Sequence, residues 1–258
     1  MIELLVVIAI IALLMSVLMP AMARVRKQAR TVACKSNLHE WALIFAMYTD
    51  DNNGKLMRGY AGRLAEATTD DTWIGALRPY YHDPKICVCP TASKPWTEGG
   101  RGPLSAWGVF GDNDDRTWAG PRGQGDFGSY GMNEMAYDPP SHVTNRADEY
   151  WRTITVKRAN EAPLFFDCIW FDVYPRDTDQ PPVYEGDTTG GEMQRVCISR
   201  HEGYINCLFM DWSLRKVGLK ELWTLKWHRL FNTTGPWTKA GGAISTDWPE
   251  WMQNFKDF

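Results

Sequence analysis

Between Glu3 and Arg24 the chain has no charge, and Ser16 is the only polar side chain. That gap excludes an ordinary surface helix, which needs a polar face toward water. Twenty such residues rise about 30 Å as a helix, the thickness of a bilayer's hydrocarbon core. An excess of cations is also missing. Against 31 Asp and Glu stand 28 Lys and Arg, a net charge of −3, so the footprint of a nucleic-acid-binding protein is absent. No internal repeat and no low-complexity tract occurs. No second cysteine pair at metal-knuckle spacing accompanies Cys87-Val88-Cys89, which is itself too short for one. The leading segment also lacks the N-terminal cation of a cleavable secretory signal and carries an acid there, although Ala21-Met22-Ala23 has the small-x-small form of a cleavage site.

What is present points to one good-sized domain with an appendage. Apolar residues make up 44% of 258 and charged residues 23%, a balance that supports a folded core. Thirteen Trp with 22 Gly and 15 Pro suit a loop-rich body of short strands, in which large aromatics compensate for a modest core. Six cysteines, an even number, suit disulfides in an oxidising compartment. Arg24, Arg26, Lys27 and Arg30 follow the apolar run, and positive charge just past a span favours the cytoplasmic side or anionic headgroups. The run therefore reads as a secretory signal, as a membrane anchor for an extracytoplasmic binding or hydrolase domain, or as the core of a filament.

The stretch "NLHEWALIFAMYTDDNNG" places Leu38, Trp41, Phe45 and Tyr48 three and four residues apart, one stripe of an amphipathic helix, with Asn52-Asn53-Gly54 as its stop. Pro20 removes the bond to the Ser16 carbonyl. One helix is predicted from about Ile2 to Asn52, bent or broken near Pro20 and about 75 Å long. Residues 1–24 would be its membrane or filament-core half, 25–53 an amphipathic half packed on the head, and 54–258 a globular α+β head. In the head, "DTWIGALRPYYHDPKICVCP" reads as a short helix and a short extended piece, and Thr91 to Gly131 as long structured loops. Leu164 to Phe171 reads as a strand. Arg195 to Ser199, Ile205 to Met210 and Leu214 to Val217 read as a three-stranded meander, turning at Glu202-Gly203 and at Asp211-Trp212-Ser213.

The stretch "IELLVVIAIIALL" followed by Pro20 resembles the N-terminal helix of type IV pilins and type II secretion pseudopilins. In that family the mature chain begins Phe-Thr-Leu-Ile-Glu after cleavage by a prepilin peptidase and carries prepilin-type N-terminal methylation. Its proline lies seventeen residues beyond the glutamate, the Glu3–Pro20 separation here. The family's glutamate is the fifth mature residue, so two residues and a leader are expected ahead of Met1; otherwise the amine sits about 3 Å nearer its carboxylate along the helix. "RHEGYINCLFMDWSLRKV" and the tail that follows also resemble a bacterial subfamily of such proteins. There a histidine is followed after nine residues by Asp-Gly; His201 and Asp211 hold those places, with Trp212 where the glycine stands. The resemblance covers roughly 1–55 and 195–258.

It implies an α+β pilin-like fold, the long helix packed under a loop-rich antiparallel sheet. It also implies a structural role without enzymatic activity: a homopolymeric filament or fimbrium subunit, with a minor pseudopilin of a type II secretion system as the alternative. The implied partners are copies of the chain, the prepilin peptidase and the inner-membrane assembly platform. The precursor would sit in the inner membrane and the filament in the periplasm or on the cell surface. Glu3, Leu4, Val7, Ile8, Ile11, Leu14, Leu18 and Pro20 would form the subunit interface. Glu3 would neutralise the α-amine of a neighbouring copy. Members of the subfamily carry cysteines at the places of Cys34 and Cys89, which suggests a disulfide between them.

The remaining candidates are weighed residue by residue. Cys197 and Cys207 lie equidistant from a turn centred at residue 202, so a cross-strand disulfide between them is a second expectation. His201 and Asp211 are expected to hold turns through side-chain-to-backbone bonds, with no resident metal and no cofactor. "GDNDDR" offers Asp112, Asp114 and Asp115 as calcium candidates, but without the spacing of a twelve-residue calcium loop, and a solvated acidic loop is the default. Asn232-Thr233-Thr234 makes Asn232 a glycosylation candidate. The Trp residues at 223, 227, 237, 248 and 251 read as packing rather than a carbohydrate surface.

Overall fold

The computed structural model describes residues 2–59, 72–95, 98–100, 102–110, 126–140 and 146–258. Its first element, α1, runs Ile2–Asp51 as one helix through Pro20, so of the expected bend or break there the break does not occur. Pro20 leaves the Ser16 carbonyl without its helical donor. The Ser16 hydroxyl turns back and donates to the Leu13 carbonyl at 2.7 Å. At the other end Asn53 and Gly54 enter the left-handed region (φ 56° and 76°), and Gly54 N–H bonds the Thr49 carbonyl at 2.7 Å. This closes the helix at the stop that Asn52–Gly54 predicts.

Burial divides α1 sharply. Every described side chain from Glu3 to Arg30 is exposed, whereas Cys34, Leu38, Trp41, Ala42, Ile44, Phe45 and Thr49 are buried. The buried positions recur at three- and four-residue spacing, so one face of the second half carries the head.

Among the described residues the head contains a short helix, α2 (Trp73–Ala76), and eight strands: β1 (Lys94–Pro95), β2 (Ser105–Phe110), β3 (Asp126–Gly128), β4 (Tyr130–Asn133), β5 (Pro163–Asp167), β6 (Asp172–Val173), β7 (Tyr204–Phe209) and β8 (Leu214–Gly218). They form a three-stranded sheet β1-β2-β3 and a five-stranded sheet β6-β4-β5-β7-β8. The sheets are mixed rather than wholly antiparallel, because β1 pairs with β2 and β4 with β6 in parallel. The fold is α+β, a long N-terminal helix packed on the five-stranded sheet.

Side chains on β5 and β7 alternate between two cores. Phe165 and Leu208 join Leu38, Trp41, Phe45 and Trp73 beneath α1. Phe166, Cys207 and Phe209 join Val217, Trp223, Trp227, Trp248 and Met252 beneath the C-terminal tail. The five-stranded sheet is thus covered by α1 on one face and by the tail on the other.

Two strand predictions are corrected. The strand expected over Leu164–Phe171 is Pro163–Asp167, and the chain leaves the sheet at Cys168. Arg195–Ser199 is not a strand. A 3₁₀ turn, Glu192–Arg195, precedes it, and Cys197 N–H bonds the Met193 carbonyl, so this backbone satisfies itself locally. The meander is the β7–β8 hairpin alone. Its preceding turn uses φ of 58° at Glu202 and 88° at Gly203, and its own turn holds Trp212 at φ 67°. Asp211 fixes that second turn: its Oδ1 accepts from Ser213 N–H at 2.9 Å and from the Ser213 hydroxyl.

Candidate functional site

Two regions stand out. The first is the leading half of α1. Glu3, Leu4, Val7, Ile8, Ile11, Leu14, Leu18 and Pro20 are all exposed, and Leu4 keeps 69% of its surface and Leu14 57%. The helix is long and apolar enough to cross a membrane. A rod apolar on every face has to be covered by lipid or by other apolar rods.

The second region is a polar cluster where α1 meets the head, built from four separate segments. Cys34 comes from the first buried turn of α1. Cys89 follows the 3₁₀ turn Pro84–Cys87, a segment that α1 itself anchors: Trp41 Nε1–H donates to the Ile86 carbonyl at 2.8 Å and the Asn37 amide to the Val88 carbonyl at 2.9 Å. Asp167 is the last residue of β5, and His201 opens the turn into β7. All four are buried, and one donor atom of each lies within 4.8 Å of the others.

The internal geometry is convergent. His201 Nε2 lies 3.1 Å from Asp167 Oδ2 and 3.6 Å from Cys89 Sγ. Cys34 Sγ lies 3.7 Å from the same Oδ2 and 3.5 Å from Oδ1. Asp167 Oδ2 accepts Asn206 N–H at 2.8 Å, and Oδ1 accepts from Arg200 Nη1 at 3.3 Å. The buried Arg200 also donates to the carbonyls of Pro103, Ser105, Ser129 and Cys168, which ties the two sheets together beside the cluster.

These neighbours set the charges. Burial opposes ionisation of Asp167, but the bond and charge of His201, the Arg200 guanidinium and Asn206 N–H together hold its carboxyl below the usual value. Burial also opposes the His201 imidazolium. The Asp167 bond and the Cys89 contact outweigh it and carry the ring up to about 9. Cys89 is held down at about 6 against its own burial by the contacts with Cys34 and His201 and by the Arg200 charge. Burial pushes the Cys34 thiol well up.

Both disulfide expectations are corrected, since all six cysteines are free. Cys197 sits in the coil after the 3₁₀ turn, near Met252, while Cys207 faces Phe166 and Arg215 within the sheet. The strand that would have set them opposite each other does not form. Cys34 and Cys89 do come together, but as thiols beside a carboxylate and an imidazole. His201 is likewise not a simple turn-holding residue. The sequence reading missed Asp167 and Arg200. An aspartate directly after the apolar run Pro163–Phe166 was the available signal, because a buried carboxylate needs partners.

The remaining candidates separate. Asp112, Asp114 and Asp115 lie outside the described residues. Asn232 is exposed, its Oδ1 accepting from Thr234 N–H and hydroxyl. Trp223, Trp227 and Trp248 are buried, and Trp237 and Trp251 pack partly buried against them. Comparison of the chain with protein-family models finds no match, and comparisons with curated proteins and with solved structures find none either.

Proposed function

We propose that this chain is a pilin-like structural subunit that polymerises through the leading half of α1 into a helical filament. The observation that carries the reading is the division of α1: an apolar rod with every described side chain exposed up to Arg30, rigidly continuous with a face buried under a head from Cys34 onward. Copies packed side by side would cover the rod, with Leu4, Val7, Ile8, Ile11, Leu14 and Leu18 in the seams. Covering such a helix buries well over ~1,000 Å², a gross gain of more than about 20 kcal/mol. Most of that replaces lipid contacts in a membrane-held precursor, so the net gain is far smaller.

Glu3 supplies direction. A carboxylate in apolar surroundings costs several kcal/mol unless it is paired. The α-amine of a neighbouring copy is the partner that a staggered stack of such rods brings close. On this reading the precursor waits in the inner membrane, and the filament extends into the periplasm or from the cell surface. The cationic cluster Arg24–Arg30 marks the end of the span.

Electron microscopy of material from native membranes tests the proposal. Regular fibres composed of this chain support it. Short plugs that copurify with secretion components would point to a pseudopilin role, and monomers that never associate would overturn it.

A further inference from the structure

We propose that Cys34, Cys89, Asp167 and His201 together hold one zinc ion, which clips α1 to the head. The proposal is independent of the filament reading and stands on the geometry of the cluster.

The donors converge on a point. A tetrahedral zinc site with ligands at about 2.0–2.3 Å places its donor atoms roughly 3.3–3.8 Å from one another. Three edges already lie at or near that spacing: Cys34 Sγ to Asp167 Oδ2 at 3.7 Å, Cys89 Sγ to His201 Nε2 at 3.6 Å, and His201 Nε2 to Asp167 Oδ2 at 3.1 Å. Two sulfurs, an imidazole and a carboxylate are a zinc-type donor set. Calcium and magnesium want oxygen alone.

The ligands are also oriented from behind. The Thr31 hydroxyl donates to the Lys27 carbonyl at 3.0 Å, so its oxygen accepts from His201 Nδ1–H at 3.1 Å. With Nδ1–H so engaged, loss of the second ring proton on metal binding would leave the Nε2 lone pair facing the cluster, the tautomer a metal requires. Cys34 Sγ receives the Asn206 amide at 3.1 Å and the Tyr130 hydroxyl at 3.4 Å, bonds that favour a thiolate. Asp167 is held by Asn206 N–H and Arg200.

Charge agrees. On coordination Cys34 and His201 would give up their protons to solvent; two thiolates and a carboxylate beside one guanidinium would then carry two net negative charges in a buried site, and one divalent ion cancels them. A catalytic relay of cysteine, histidine and aspartate needs the thiol on one ring nitrogen and the carboxylate on the other. Here Cys89 and Asp167 face the same Nε2, and Nδ1 is taken by Thr31. That is the arrangement of a coordination centre. His201 and Thr31 also line a surface groove between α1 and the head, which gives an ion a way in.

The test uses the full chain in detergent, stripped with a chelator and reconstituted with zinc or cobalt alone. The expected result is about one zinc per chain, and a cobalt form showing thiolate-to-metal charge transfer with the strong visible bands of tetrahedral cobalt. Cys89→Ser should remove about half of the charge-transfer intensity, and Cys197→Ser none. Bound zinc should also protect Cys34 and Cys89 from alkylation in the unsubstituted chain, a readout that holds even if Cys89→Ser fails to fold. A folded chain taking up less than ~0.1 zinc per molecule would overturn the proposal. So would a Cys34–Cys89 disulfide in native material.

Discussion

Phe165 and Phe166 are neighbours in β5 and belong to opposite cores. Phe165 packs on Trp41 of α1 with ring centroids 5.1 Å apart, and Phe166 packs on Trp227 of the C-terminal tail, also at 5.1 Å. The two-residue period of a strand makes this unavoidable once both faces are covered. Truncating either to Ala removes a fully buried ring and should cost about 3–5 kcal/mol in chemical denaturation. The two variants should differ in where they loosen. Amide exchange should rise along residues 34–49 of α1 in Phe165→Ala, and along the tail after residue 219 in Phe166→Ala. Identical exchange patterns would refute the two-core division.

Arg200 joins what the strand pairing leaves separate. Its guanidinium reaches the Pro103 carbonyl before β2, the Ser105 carbonyl at its start, the Ser129 carbonyl before β4, the Cys168 carbonyl just past β5, and the Asp167 carboxylate. Lys has one ammonium point where this site uses a planar fork. Arg200→Lys is therefore expected to behave as a broken buried pair, costing about 3–5 kcal/mol in the unfolding midpoint. A loss below ~1 kcal/mol would mean the network is not what holds the two sheets together.

The parts of the fold governed by local periodicity could be read from the sequence. The three-and-four spacing of Leu38, Trp41 and Phe45 has one helical solution, and Asn53-Gly54 ends it, so α1 is found within a residue of its predicted end. Ile205–Met210 and Leu214–Val217 appear as β7 and β8 because turn chemistry brackets them. Arg195–Ser199 carries a similar short apolar run, Val196-Cys197-Ile198, and is not a strand, since its backbone bonds are satisfied by a local turn that no pattern announces. The buried cluster was half legible. Cys34, Cys89 and His201 are each recognisable in the sequence as candidates, but their meeting point depends on β5 delivering Asp167, a tertiary fact with no fixed spacing. Trp212 shows the converse. It adopts the left-handed conformation that a glycine takes without strain, and its ring packs against the core beneath α1.

His228 makes folding sensitive to acid. Burial, with the charges of Arg176, Lys226 and Arg146 nearby, holds its ring down at about 4 from an ordinary 6.5, and neither ring nitrogen has a partner. The folded state therefore keeps this histidine neutral while the unfolded state takes up a proton first. Its contribution is full above pH 6.5, declines as pH falls toward 4, and is flat below that. His228→Phe, which keeps the edge-on packing with Phe231, should flatten the stability profile across that window. An unchanged pH profile in the variant would show that another group is responsible.

Glu3 carries the sharpest prediction for assembly. Its side chain is exposed at the tip of α1, far in sequence from every residue of the two cores, so removing it cannot disturb the head. Glu3→Ala should leave membrane insertion and the unfolding midpoint of the head unchanged while fibre yield falls by more than about tenfold, the loss expected when a carboxylate–amine pair worth upwards of 1.4 kcal/mol is deleted from each subunit contact. Glu3→Gln separates charge from shape: it preserves size and hydrogen bonding and should fail nearly as badly. If the glutamine variant assembles normally, the acid serves as a hydrogen-bonding group only, and the rods must find their stagger through packing of Leu4, Val7 and Ile11 alone.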